Sequence, residues 1–264
     1  VAATSGRTGR VHRFRISAQQ RVHVAALLIA FCATALFAAD EVRFDPATTQ
    51  ADFHEFSLLA GQAIYATPVE PARATGLLGF DVGVATTAVK IDTSASYYRR
   101  AVTNDITTSG YLGVPRLVVS KGFPGGTISG MYAKFNGTDM KVYGGALDVP
   151  IVNGGLVSPT LAFRAAYSTI SGVDAYKLKT YGAEIFLSKG FGPITPYIAA
   201  GRMRTDARGI IPAAGTFAGA TLRDRGNSNR YTAGVRISML VPKLVLEATQ
   251  GEVRSYAAKI SFGF

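Results

Sequence analysis

Tyr231-Thr232-Ala233-Gly234-Val235-Arg236-Ile237-Ser238-Met239 alternates without a break, with apolar side chains at the odd positions and Thr, Gly, Arg and Ser at the even ones. In a β-strand successive side chains point to opposite faces, so this stretch asks for an apolar surround on one side and a polar one on the other. The same split recurs upstream. Leu161, Phe163, Ala165 and Tyr167 oppose Ala162, Arg164, Ala166 and Ser168, and Tyr181, Ala183, Ile185 and Leu187 oppose Thr180, Gly182, Glu184 and Ser188. Leu78, Phe80, Val82 and Val84 oppose Gly79, Asp81 and Gly83, while Tyr256, Ala258, Ile260, Phe262 and Phe264 oppose Ala257, Lys259, Ser261 and Gly263.

About ten such segments follow one another, at roughly 77–91, 114–121, 126–136, 140–149, 159–170, 177–189, 194–205, 229–240, 243–250 and 254–264. Several exceed the five or six residues typical of soluble strands and suit a tilted strand of about 9 to 11 residues crossing a bilayer. Connections around Gly122-Phe123-Pro124-Gly125-Gly126, Gly190-Phe191-Gly192-Pro193 and Val241-Pro242 are tight, whereas 92–113 and 205–228 read as long polar loops. An even number of strands with short turns at one end and long loops at the other is the layout of an outer-membrane barrel. The fold class expected is therefore all-β: one transmembrane antiparallel barrel of about ten strands over residues 76–264, with a short N-terminal amphipathic helix. A soluble periplasmic lipocalin-like carrier is the all-β alternative, because alternation alone does not say which face is wet.

Upstream, Arg7, Arg10, Arg13, Arg15 and Arg21 precede the uncharged run from Val22 to Ala39, which meets Asp40. A basic start, an apolar middle and small residues before a polar segment describe a secretory signal over residues 1–38, a retained anchor helix being the alternative. Cys32, the only cysteine, lies in that leader behind Phe31 rather than a small residue, which argues against lipidation and leaves the exported part without thiol chemistry. Removing five leader arginines from 28 basic residues leaves 23 against 17 acidic ones, a net +6 in place of +11. These charges are scattered, not grouped into the basic stripe a nucleic-acid face requires, so no nucleic-acid partner is expected.

Residues 39–75 are expected to form a periplasmic segment, with a helix over about 48–61. Asp45 reads as its cap, Pro46 as a first-turn residue and Asp52 as a carboxylate at the positive end, followed by Phe53, Phe56, Ala60 and Ile64 at spacings of three and four. The helix reads either as a plug in the barrel or as a cover at its periplasmic mouth. Asp81, Arg164, Glu184, Arg236, Glu247 and Lys259 fall on the polar row and are expected to face the lumen, Arg164 pairing Glu184 and Arg236 pairing Glu247 across neighbouring strands. Such charges act as an ion-selecting constriction or as a self-satisfied filling. Tyr65, Tyr111, Tyr143, Tyr167, Tyr181, Tyr197, Tyr231 and Tyr256 suit a girdle at the membrane interface, since the chain has no Trp. With the leader gone His54 is the only histidine, and it reads as a packing or surface residue. No triad, zinc site or phosphate loop is legible, so neither enzyme activity, nor a metal, nor a cofactor is expected.

The closing run Tyr256-Ala257-Ala258-Lys259-Ile260-Ser261-Phe262-Gly263-Phe264 resembles the last strand of Gram-negative outer-membrane barrels. The resemblance implies that Tyr256, Phe262 and Phe264 carry the signal read by the barrel-assembly machinery, and that the protein resides in the bacterial outer membrane. In size and layout the chain is similar to the small OmpA-like and OmpW-like barrels and the omptins, although no residue matches the omptins' catalytic histidine. Gly76-Leu77-Leu78-Gly79-Phe80-Asp81-Val82-Gly83, with Ser188-Lys189-Gly190-Phe191 and Thr195-Pro196-Tyr197, also resembles a group of exported barrels to which no activity is attached. The function expected is a narrow pore or a structural membrane component. The alternative is an adhesin-like barrel that binds through loops 92–113 and 205–228, whose arginines suit outer-membrane lipid and lipopolysaccharide.

Overall fold

The computed structural model describes residues 41–103, 110–135, 138–155, 157–213, 219–239 and 242–263. The leader with Cys32, the terminal Phe264 and parts of both long connections lie outside the described residues. Ten antiparallel strands form a closed barrel: β1 Phe80–Lys90, β2 Tyr111–Phe123, β3 Gly126–Lys134, β4 Lys141–Val152, β5 Thr160–Ser171, β6 Tyr176–Ser188, β7 Ile194–Ile211, β8 Ala220–Ser238, β9 Pro242–Gln250 and β10 Arg254–Gly263. Each strand pairs with its chain neighbours, and β10 closes on β1 with Lys259 opposite Ala85.

One connection differs from the expectation. β7 and β8 remain paired from Ile237 and Ile194 out to Ala220 and Ile211, so the described part of 205–228 is a two-stranded arm rather than a loop. Its outward residues Asp206, Arg208, Arg223 and Arg225 are charged, which made it read as loop. Its alternate residues Met203, Thr205, Ala207 and Ile211 are buried, so the period of two never stops.

Helix α1, Gln50–Ile64, begins at Thr49, whose side chain accepts from the Asp52 amide at 3.1 Å while the Asp52 carboxylate accepts from the Thr49 amide at 3.1 Å. This capping box replaces Asp45 as the expected cap; Asp45 closes the preceding turn through the Ala47 amide. Ser96 and Arg100 also donate to Asp52, and Val42 pairs with Val102, so the chain before the helix is fastened to the 91–110 connection.

The helix lies inside the ring. A Cβ on Gly61 would stand 2.5 Å from the Thr205 hydroxyl on β7, while Arg116 on β2, across the barrel, donates to the carbonyls of Ala63 and Tyr65. The chain then descends through the interior, past Val69 at φ 52°, a conformation rare for a β-branched residue. Thr127 donates to the Arg73 carbonyl near the short-turn end, where the chain reverses at Gly76 and enters β1. The described part of 39–75 is thus contained in the barrel and runs from the long connections to the short turns, in place of the separate periplasmic segment expected.

The interior has two zones. Toward the long connections, Phe53, Phe56 and Leu59 of α1 pack with Phe44, Val89, Val114, Phe135, Tyr176 and Leu178 in an apolar core, with Phe44, Phe53 and Tyr176 meeting edge to face. Below it the interior combines buried charges with a second apolar cluster that includes Val69, Ala85, Val118, Met131, Phe186 and Val245. The hydrophilic hollow expected from the alternation is therefore met only in part, by the charged groups of the lower zone. In the upper zone the apolar face of the helix requires an apolar wall.

Candidate functional site

The charged zone is built from alternate residues of the strands and from the descending segment. Arg164 on β5 is fully buried; its Nε and Nη2 donate to the two Asp148 oxygens on β4 at 2.6 and 2.8 Å, and Nη2 also donates to the Glu70 carbonyl at 3.0 Å. Its guanidinium lies 4.3 Å from the Phe186 ring centre. Across the barrel, the Lys259 ammonium on β10 lies 3.1 Å from both Glu70 Oε2 and Asp81 Oδ1, and Lys243 donates to Asp81 Oδ2 at 2.9 Å. Glu70 therefore joins opposite walls, through its backbone to β5 and through its carboxylate to β10. Arg230 donates to Glu184 at 3.3 Å and stacks 4.3 Å from the Tyr65 ring centre, and Tyr197 donates to Glu247 at 2.6 Å.

Asp81, Arg164, Glu184, Glu247 and Lys259 are all buried, and Arg236 is half-buried near the short-turn end. The pairings differ from those expected. Arg164 sits opposite Glu184 in register but also opposite Asp148, and bonds to the latter; Glu184 takes Arg230 instead. Arg236 sits opposite Val245 rather than Glu247 and donates to Thr195 at 3.2 Å. Sequence reading missed Glu70, Arg116 and Arg230. Glu70 lies between Pro68 and Pro71 in a segment without period, where only its place between two turn-favouring residues marked it as extended.

Hollows between plug and wall include two of about 70 and 10 Å³. Among the described residues no group of His, Cys, Asp and Glu is arranged to hold a metal. His54 is partly exposed on α1, with Nδ1 2.8 Å from Asp224 of the arm. At the outer end of the plug, burial acts to raise the Asp52 pKa, but hydrogen bonds from Ser96, Thr49 and Arg100 outweigh it and hold the carboxyl well below the ordinary range.

Outside, the rows reverse in character. Val84, Leu117, Ile128, Ile185, Ile198 and Leu246 are exposed around the ring. Above them, toward the long connections, stand the exposed tyrosines Tyr111, Tyr132, Tyr143, Tyr167, Tyr181, Tyr231 and Tyr256, each on a different strand. Tyr65 and Tyr197, expected in this girdle, instead point inward and are buried. Of the terminal triplet, Tyr256 and Phe262 are exposed, and Phe264 lies outside the described residues. No described helix is long and apolar enough to cross a membrane; among the described residues the strands have that capacity.

No protein-family model matches the chain, and no curated protein is similar to it in sequence. Solved structures with a related fold include Neisserial surface protein A, 13% identical, covering 70% of this chain and 97% of that one at a TM-score of 0.32. The N-terminal β-barrel domain of Pseudomonas aeruginosa OprF is 10% identical with the same coverage and a TM-score of 0.33. LpxR from Salmonella typhimurium is 11% identical, covering 70% of this chain and all of that one at 0.33.

Proposed function

We propose that this chain is an outer-membrane β-barrel closed by its own N-terminal segment, a structural membrane component that presents its arm and helix end at the cell surface. The observation that carries this reading is Glu70, bound to Arg164 on one wall and Lys259 on the opposite wall inside a polar ring with an apolar exterior. An exterior of exposed aliphatic rows below a tyrosine girdle suits lipid and is costly in water, which disfavours the soluble-carrier reading. Short turns belong on the periplasmic side, so the arm, the 91–110 connection and the start of α1 face outward. Surface binding through that end is preferred to an open pore, because the descending segment spans the interior and binds opposite walls through Glu70. The pore reading survives only in a form where the plug leaves.

Planar-bilayer recordings test this reading. The full chain is expected to give no steady conductance, and a variant lacking residues 44–75 is expected to conduct through the uncovered polar ring. Steady conductance by the full chain overturns the closed barrel.

A further inference from the structure

The outer face of β6, β7 and β8 changes abruptly along its length. Leu187, Ile198, Ala233 and Ala248 stand side by side in register and, with Ile185, Ala200, Tyr231 and Tyr256, line an open groove of about 750 Å³. The small side chains form its floor and the tyrosines one wall. Directly above, the outward residues of β7 become basic, flanked by Asn229 and Asn227 on β8 and by Ala183 and Tyr181 on β6: Arg254 of β10 borders the groove, then come Arg202, Arg204, and finally Arg208 opposite Arg223. At a rise of roughly 3.3 Å per residue, Arg202 stands about 7 Å, Arg204 about 13 Å and Arg208 about 26 Å above Ala200 along β7. All five arginines are exposed, and Asp206 is the only outward carboxylate among the described residues of β6, β7 and β8.

We propose that this face binds one phosphorylated glycolipid of the outer leaflet, with acyl chains in the groove and successive phosphates on the arginine ladder. The inference rests on the outer-membrane reading and deepens it. Charge complementarity calls for an anionic amphiphile, and the height of the ladder selects among them. A glycerophospholipid carries its phosphate at one level and would meet only the lowest arginines, whereas a lipopolysaccharide bears phosphates on lipid A and again on its core sugars. Guanidinium groups suit such phosphates because they donate in a planar fork.

The test uses the full chain folded in detergent micelles, titrated with core-bearing lipopolysaccharide or with phosphatidylglycerol and read by native mass spectrometry. Lipopolysaccharide is expected to be retained in preference to phosphatidylglycerol. Arg202→Ala/Arg204→Ala/Arg254→Ala is expected to weaken its binding roughly a hundredfold. Ala233→Trp, which fills the groove and leaves every charge in place, is expected to weaken it as well. All four positions are exposed, so the barrel should form, as shown by heat-modifiable electrophoretic mobility. Equal retention of the two lipids, or undiminished binding by the triple variant, overturns the glycolipid site. A chain that remains soluble without detergent instead overturns the membrane reading itself, so the two failures are distinguishable.

Discussion

Replacing Arg164 with Met removes the centre of the buried charge cluster while keeping an unbranched apolar stem. The side chain has no exposure, makes two bonds to Asp148 and one to the Glu70 carbonyl, and covers Phe186. Its loss strands the Asp148 carboxylate, 1% exposed, and one plug carbonyl without their donor. Breaking a buried pair from one side costs about 3–5 kcal/mol. Against a total stability of about 5–15 kcal/mol, that is a large fraction. The companion Arg164→Met/Asp148→Leu removes both charges and should recover most of the loss, to within about 1–2 kcal/mol of the parent, because the dominant penalty is the orphaned ion rather than the missing attraction. Guanidinium unfolding of the folded barrel, followed by far-UV circular dichroism because the chain has no Trp, measures both variants. A loss below about 1 kcal/mol in the single variant, or a double variant no more stable than the single, refutes the view that the pair exists to neutralise buried charge.

Other consequences lie at the plug's outer end and on the barrel exterior. Asp52→Asn should weaken docking of α1 by about 1 kcal/mol through loss of the capping box and the Arg100 bond, read as faster amide exchange over residues 50–64. Because the folded pKa of Asp52 lies below its ordinary 3.8, this contribution is complete above that value and is lost as pH falls through the folded pKa. The difference between parent and variant should therefore be constant from about pH 7 to pH 5 and shrink only in stronger acid; a difference that disappears near pH 6 contradicts the assignment. Leu246→Arg, in the apolar exterior band, should cost about 2–4 kcal/mol in a bilayer and far less in water-filled surroundings, measured by the same denaturant titration. In a chain whose only natural cysteine is Cys32, Ala47→Cys should react with an impermeant maleimide on intact cells while Gly125→Cys should not; the opposite labelling reverses the barrel in the membrane.

The ten strands and their neighbour-to-neighbour order were legible because an apolar exterior and a polar filling impose opposite demands on alternate residues, as at Arg164 and Phe163 or Glu184 and Ile185. The arm escaped because it obeys the same period with reversed sign. Where β7 leaves the apolar band, Arg202, Arg204 and Arg208 point out and Met203, Ala207 and Ile211 point in, as in a water-soluble sheet. The charge partners were legible as a set and not as pairs, because register sets who stands opposite whom, while the descending segment decides which carboxylate each cation reaches. Glu70 and Tyr65 enter from that segment, which has no period to read.

That reversal also explains how a short helix can plug a barrel whose inward row is hydrophilic lower down. α1 buries Phe53, Phe56, Leu59 and Ile64 and needs an apolar wall, which the barrel supplies toward the long connections through Val89, Val114, Leu178 and Ala207. Below that level the chain abandons helix, since an amphipathic helix has too few polar groups to match Arg116, Arg164 and Lys259. It descends in extended form, offering the carbonyls of Tyr65 and Glu70 to Arg116 and Arg164 and the Glu70 carboxylate to Lys259. The segment leads directly into β1 after the turn at Gly76–Gly79, and β10 closes on that strand. The lower end of the plug is thereby held by a turn of a few residues at the start of β1, and its middle by Arg164 and Lys259 on opposite walls.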